Sequence, residues 1–180
     1  MLENLVGFFI NTLPLRTRLR AEQPFSELLS EVKCTALAAY EHQDLAFEQL
    51  VEVLQPERDP GRAPLYQVMF ILQNAPADDS DLRGLEQSPV LFDFGSAKLD
   101  LTLSMQEQDG ELLGYLEYNT ELFTAESIDR FLQRYAQLLD SIVAAPDTAV
   151  GKLDLLPASE RQQLLEDWNA TGYAFPAHLR

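Results

Sequence analysis

The sequence predicts an α+β fold, a mixed β-sheet with helices packed on it, and three observations lead there. Val6–Leu15 and Tyr66–Leu72 are apolar on both faces, as strands covered on both sides are. Leu99, Leu101, Leu103 and Met105 alternate with Asp100, Thr102 and Ser104, and an Asp109-Gly110 turn follows, so a half-buried strand leads into a hairpin. Two long stretches, from Phe25 and from Ile128, carry apolar residues at helical spacing. The resulting order is β-α-α-β-β-β-β-α, an α+β pattern rather than a strict βαβ alternation.

Taken in order, the first strand spans Val6–Leu15. Arg16, Arg18 and Arg20 then alternate with Thr17 and Leu19, which extends it into a half-exposed ribbon. So apolar a strand close to the start of the sequence leaves an edge that invites pairing with further chain. Pro24 opens a helix whose apolar face is Phe25, Leu28, Leu29, Val32, Ala36, Ala39 and Tyr40. A shorter helix carries Phe47, Leu50, Val51 and Leu54, with Asp44 as its N-cap and Pro56 as its stop. Two prolines and a glycine between Glu57 and Pro64 make an irregular loop. After the Tyr66–Leu72 strand, residues 74–89 read as a loop, Val90–Phe94 as a short strand, and Leu112–Tyr118 as the return strand of the hairpin. Thr124 caps a long helix with Ile128, Phe131, Leu132, Tyr135, Leu138, Leu139, Ile142 and Val143 on one stripe, ended by Pro146. Lys152–Leu156 is strand-like, and a last helix runs near Ser159–Trp168.

Composition narrows the function classes. The 180 residues carry 13 basic and 29 acidic side chains, a formal net charge of −16. Nucleic acids and anionic membranes both select a positive surface, so neither is expected as a partner. At 46% hydrophobic and 23% charged residues the chain is neither a disordered acidic tail nor a membrane protein, and no apolar run approaches the ~20 residues that span a bilayer. The single Cys34 excludes an internal disulfide and the multi-cysteine zinc sites, and it suits a reducing compartment. The opening residues, with Glu3 where a signal peptide carries base, point to a cytoplasmic protein.

Few residues can carry chemistry. His42-Gln43-Asp44 sets a histidine beside a carboxylate, the raw material of acid–base catalysis. The structural reading of the same residues is an N-cap at Asp44 and a helix end at His42, where a cation is favoured. Cys34 lies mid-helix with Lys33 on a different face, so it reads as an inert cysteine. Arg58-Asp59 with Arg62 is either an anion-binding loop or an ion-pair knot holding that loop to a neighbouring element. No glycine-rich phosphate loop and no metal-ligand set is present in the sequence.

Three blocks taken together resemble a known family. Val6-Gly7-Phe8-Phe9-Ile10-Asn11-Thr12 is similar to the G-x-F-x-N-T motif of nonribosomal peptide synthetase condensation domains. His42-Gln43-Asp44-Leu45-Ala46-Phe47-Glu48 resembles their H-Q-D-x-P-F-E motif, and Arg58 to Leu65 resembles R-D-x-S-R-x-P-L. Gln67–Phe70, Lys98–Leu101 and Leu116–Phe123 agree in the same register. Ala46 and Gly61 depart from the family's proline and serine. The larger departure is the family's adjacent histidine pair in H-H-x-x-x-D-G, which is absent from this sequence.

The resemblance implies a partial chloramphenicol-acetyltransferase-like half. Residues 1–156 correspond to the C-terminal portion of a condensation domain, and residues 157–180 to a linker toward an adenylation domain, so the chain reads as a fragment. Its parent joins aminoacyl or peptidyl thioesters carried on phosphopantetheine, and the fragment would supply a tunnel wall and a carrier-protein surface while being inactive alone. No residue is assigned as catalytic and none as a metal ligand. Asn11 and Thr12 are the tunnel or positioning candidates, with a hydrogen bond inside the sheet as the alternative role. His42, Gln43, Asp44, Arg58, Asp59 and Arg62 are structural motif residues. The implied partners are the N-terminal half of the domain, peptidyl carrier proteins and the adenylation domain, and phosphopantetheine resides on the carriers, not on this chain. The competing class is a non-catalytic interaction module that binds carrier proteins or a partner domain.

Overall fold

The computed structural model describes residues 7, 11–57, 59, 61–73, 95–108 and 110–172. The chain divides into two compact units, one formed by residues 1–14 and 42–125 and the other by residues 15–41 and 126–180.

In the first unit, helix α2 (Phe47–Leu54) precedes a three-stranded sheet of β1 (Val68–Gln73), β2 (Leu101–Gln108) and β3 (Glu111–Tyr118). The sheet is mixed: β1 pairs parallel with β2, and β2 antiparallel with β3, in the order β1-β2-β3. The predicted hairpin is present, with Gln108 opposite Glu111. Gly110 has φ +81°, a left-handed backbone that glycine adopts without a Cβ clash. The register places Val68, Phe70 and Leu72 on one face with Leu101, Leu103, Met105, Leu116 and Tyr118.

Burial departs from the expected pattern. Among the described residues β1 is paired on one side only, and Val68, Phe70 and Leu72 are 62%, 59% and 50% exposed, so β1 is not the doubly covered strand expected at Tyr66–Leu72. In β2 the most buried residue is Ser104, on the face expected to be open. Val6 and Phe8–Ile10 of the predicted Val6–Leu15 strand lie outside the described residues, as do the 74–89 loop and the Val90–Phe94 strand. Residues 11–20 are described and form no strand, so the arginine ribbon is an unpaired segment.

The second unit contains α1 (Phe25–Tyr40), nearly all of α3 (Ala125–Ala144) and α4 (Ala158–Leu165). Pro24 is the residue before α1, with φ −57° and ψ 144°, and no side chain caps the helix. A distant loop satisfies its first amides instead. Phe25 N–H donates to the Thr148 carbonyl at 3.0 Å and Ser26 N–H to that of Pro146 at 2.9 Å, while the Ser26 hydroxyl bonds Asp147 at 2.6 Å. Just beyond, Val150 N–H donates to Gln23 and Gly151 N–H to Ala21, both at 2.8 Å. Lys152 N–H donates to Ala149 and Leu153 N–H to Val150, so Val150–Lys152 is a short 3-10 helix and the strand-like reading of Lys152–Leu156 is corrected. Leu28 and Ile128 are the buried apolar side chains of this unit.

Helix α4 is held to α3 by a two-bonded ion pair. Arg134 Nε donates to Glu160 Oε2 at 2.9 Å, and a second guanidinium N–H donates to the other oxygen. The Arg134 guanidinium holds the Glu160 carboxyl below its ordinary range. Asn169 then donates its amide hydrogens to the Leu164 and Leu165 carbonyls at 2.8 and 3.1 Å, closing the end of α4. The helix expected near Ser159–Trp168 is therefore α4 followed by a 3-10 turn at Asp167–Asn169.

Two outcomes follow. A Cβ on Gly151 would lie 3.0 Å from Ala21 Cβ and 3.1 Å from its carbonyl oxygen, so Gly151→Ala should cost on the order of 1 kcal/mol in a denaturant titration. Gly172→Ala, with open space around it, should cost far less. Because the Glu160 pKa is lowered on folding, its contribution is complete above the unfolded carboxyl pKa and fades as pH falls through the folded value. Thermal melts of wild type and Glu160→Gln should therefore differ near neutral pH and converge in acid. Parallel curves at every pH would remove the pair from the account.

Candidate functional site

Two of the three motif blocks meet at one place in the first unit. Asn11 donates one amide hydrogen to the Gln43 carbonyl and the other to the Leu45 carbonyl, both at 2.7 Å. Its own Oδ1 accepts the Thr12 N–H at 2.9 Å. A carboxamide has two donors, and both are committed here. Between the two accepting carbonyls the chain turns, with Leu45 N–H donating to the His42 carbonyl at 3.1 Å. Asn11 thus clamps the His42–Leu45 turn through its backbone. It does so from an exposed, irregular segment rather than through a bond inside a sheet.

The motif side chains themselves point elsewhere. His42, Gln43 and Asp44 are exposed, and their side chains make no hydrogen bond among the described residues. Asp44 is not the N-cap of α2. That position is Ala46, with no side-chain cap, so the expected capping role is corrected. The helix instead begins where the clamped turn delivers the chain, and Gln49 and Leu50 donate their amides to the Ala46 carbonyl at 3.1 and 3.2 Å.

Past α2, Gln55 ends the helix in the left-handed region at φ 43° and donates to the Val51 carbonyl. Arg58 lies outside the described residues. Asp59 Oδ1 accepts the Gly61 N–H at 2.9 Å, the Asp59 carbonyl accepts the Arg62 N–H at 3.2 Å, and the Arg62 guanidinium is 3.9 Å from the other carboxylate oxygen. Among the described residues these contacts are local, so Asp59 and Arg62 shape the loop. Leu65 follows with φ +71°, and Tyr66 N–H donates back to the Pro64 carbonyl at 3.0 Å. This is a γ-turn of the strained hand. It presents the Tyr66 ring edge-on to Phe47, with centroids 5.4 Å apart and planes at 69°, which seats α2 on the loop.

Beside this contact lies a wide groove of about 1360 Å³. Glu48, Glu52, Glu57 and Asp59 contribute acidic side chains to its lining, and Arg62 a cation. Among the described residues no three His, Cys, Asp or Glu side chains are grouped as metal ligands. Cys34 is exposed on α1. Among the described residues the arrangement binds backbone and shapes loops. The sequence supplied the residues of this cluster but not the Asn11 clamp, because no local pattern reports a side chain bonding carbonyls more than thirty residues away.

Comparison with known proteins places this architecture. The Condensation domain family matches residues 1–165. A linear gramicidin synthase polypeptide of Brevibacillus parabrevis is 46% identical over 99% of this chain, and a surfactin synthase polypeptide of Bacillus subtilis is 41% identical over 96%. The chain spans 4% and 5% of the lengths of those relatives. Among solved structures, the X-domain from teicoplanin biosynthesis superposes with a TM-score of 0.74 at 27% identity, covering 86% of this chain and 36% of its own. A four-domain nonribosomal peptide synthetase bound to AMP and glycine gives 0.71 at 27% identity, covering 79% and 12%. The chain is a member of the condensation-domain family. It is of the nonribosomal peptide synthetase kind, and its α+β, chloramphenicol-acetyltransferase-like fold class is the one the sequence predicts.

The clamp makes a direct prediction. Asn11→Ala should lower stability by about 1 kcal/mol, since two exposed carbonyls exchange an amide partner for water. It should also speed hydrogen exchange in residues 43–46. Asp44→Ala should stay within about 0.5 kcal/mol of wild type. Equal denaturant midpoints for Asn11→Ala and wild type would show that the clamp contributes nothing.

Proposed function

We infer that the chain forms the C-terminal portion of a condensation domain, residues 1–156, with residues 157–180 leading toward an adenylation domain. The observation that carries this reading is the family match across residues 1–165, two of whose motif blocks meet at the Asn11 clamp. In the reaction proposed for the whole domain, an acceptor amine attacks the thioester carbonyl of a donor. The C–N bond forms, the C–S bond breaks, the amine loses its proton, and the phosphopantetheine thiol leaves. The two arms belong to carrier proteins and enter as substrates of a cytoplasmic assembly.

The part proposed for this chain is positional. It supplies one wall of the tunnel and a surface on which carriers dock. Asn11 and Thr12 hold the loop that bears His42, Gln43 and Asp44, and Asp59 with Arg62 fixes the next loop, with Arg58 assigned to the same structural group. The sequence has two histidines, His42 and His178, so it contains no adjacent pair to act on the amine. Exposure of His42 with no carboxylate bonded to it agrees with a residue that does not serve as the base.

The test is peptide-bond formation between two loaded carrier proteins. The chain alone should give no product above background. Adding a separately expressed histidine-bearing half of a condensation domain from a close relative should restore turnover. Turnover by the chain alone would overturn the positional role. Carrier binding without restored turnover would favour the non-catalytic interaction module.

A further inference from the structure

Residues Leu15–Arg20 have the pattern of a strand and none of its bonds. Arg16, Arg18 and Arg20 alternate with Leu15, Thr17 and Leu19, so an extended chain would put three guanidinium groups on one face and mostly apolar groups on the other. All six residues are exposed, with Leu15 at 50% and Leu19 at 69%. Among the described residues nothing pairs with the backbone of residues 15–19. Their N–H and C=O groups are open to a ladder.

One end of this segment is already anchored. Arg20 bonds Glu31 at 2.6 Å and Glu27 at 3.2 Å, both on α1. Its carbonyl accepts the Gln23 N–H at 3.1 Å, and the next carbonyl, of Ala21, accepts from Gly151. The Gln23 carboxamide first and Arg20 second lower the Glu31 carboxyl. Gln23 is 96% buried, although neither polar atom of its carboxamide completes a hydrogen bond of normal geometry. The anchor uses Arg20 alone. Arg16 and Arg18 have no acidic partner among the described residues, in a chain whose net charge is −16.

We propose that Leu15–Leu19 is a β-augmentation site for an extended polypeptide strand that alternates acidic and apolar side chains. The ladder supplies the backbone bonds, and cross-strand carboxylates pair with Arg16 and Arg18. The acidic requirement comes from charge complementarity. A second copy of the segment would set arginine against arginine, and most of the remaining surface of an acidic chain would be repelled by an acidic strand. Because the Arg20 end is fixed to α1, less freedom is lost when the rest orders.

The experiment titrates the full 180-residue chain with a blocked ten-residue peptide of alternating Glu and Val. Binding and backbone amide exchange at residues 15–19 are followed together. Saturable binding is expected, with slowed exchange confined to this segment and weakening as salt rises. Arg16→Glu combined with Arg18→Glu, both exposed positions, should weaken binding about tenfold. A peptide N-methylated at every residue keeps its charge but cannot donate to a ladder on either edge, so it should bind far more weakly. Three results would overturn the proposal: equal binding of the N-methylated and plain peptides, exchange at residues 15–19 already slow before any peptide is added, or no binding at millimolar peptide.

Discussion

Phe25 and Ser26 donate the first free amides of α1 to carbonyls about 120 residues away in sequence, and the second unit is organised around that junction. A helix begins with amides that its own turns cannot satisfy. Here the Pro146–Thr148 loop takes them, and Val150 and Gly151 donate in turn to carbonyls just before the helix. The junction therefore sets where α3 must end and how the chain leaves it. It also explains why Pro24 is well placed: a residue with no N–H costs nothing where the helix has yet to start. The Arg134–Glu160 pair and Asn169 extend the same arrangement to α4.

The first unit solves the equivalent problem with a side chain. The His42–Leu45 turn leaves the Gln43 and Leu45 carbonyls outside any regular element, and Asn11 supplies both donors. The turn then needs no cap from Asp44, and α2 starts at Phe47 without one. Downstream, Asp59 and the Leu65 γ-turn hold a loop whose main task is to aim Tyr66 at Phe47. Strain at Leu65 is sustained because Pro64 and the ring contact fix the backbone on either side of it.

Where the sequence was legible, a local period decided the structure. The stripe from Phe25, the Ile128–Val143 stripe and the alternation before Gly110 each specify their element through residues within a few positions of one another, and α1, α3 and the β2–β3 hairpin follow. The failures share one cause. Asp44 looks like a cap, but the amides it would serve are positioned by a partner thirty residues away. Lys152–Leu156 looks like a strand, but it starts in a 3-10 turn whose first amides bond Gln23 and Ala21. Leu15–Arg20 alternates like a strand, and alternation specifies only a strand's faces, never the presence of a neighbour. The clamp, the junction and the exposure of β1 are all settled by long-range pairing, which no window of sequence contains.

This division bears on what the motif residues can do. A polar side chain acts on a substrate through donors and acceptors that the fold has left free. Both donors of Asn11 are used on carbonyls, and the Asp59 carboxylate is shared between an amide and Arg62. Such residues set geometry and have little capacity left for chemistry. His42 is the reverse case, exposed and without a bonded carboxylate to orient it, so its ring is neither held in one tautomer nor aimed. Among the described residues, the free surface includes the exposed apolar row of Val68, Phe70 and Leu72 and the unpaired backbone of Leu15–Leu19.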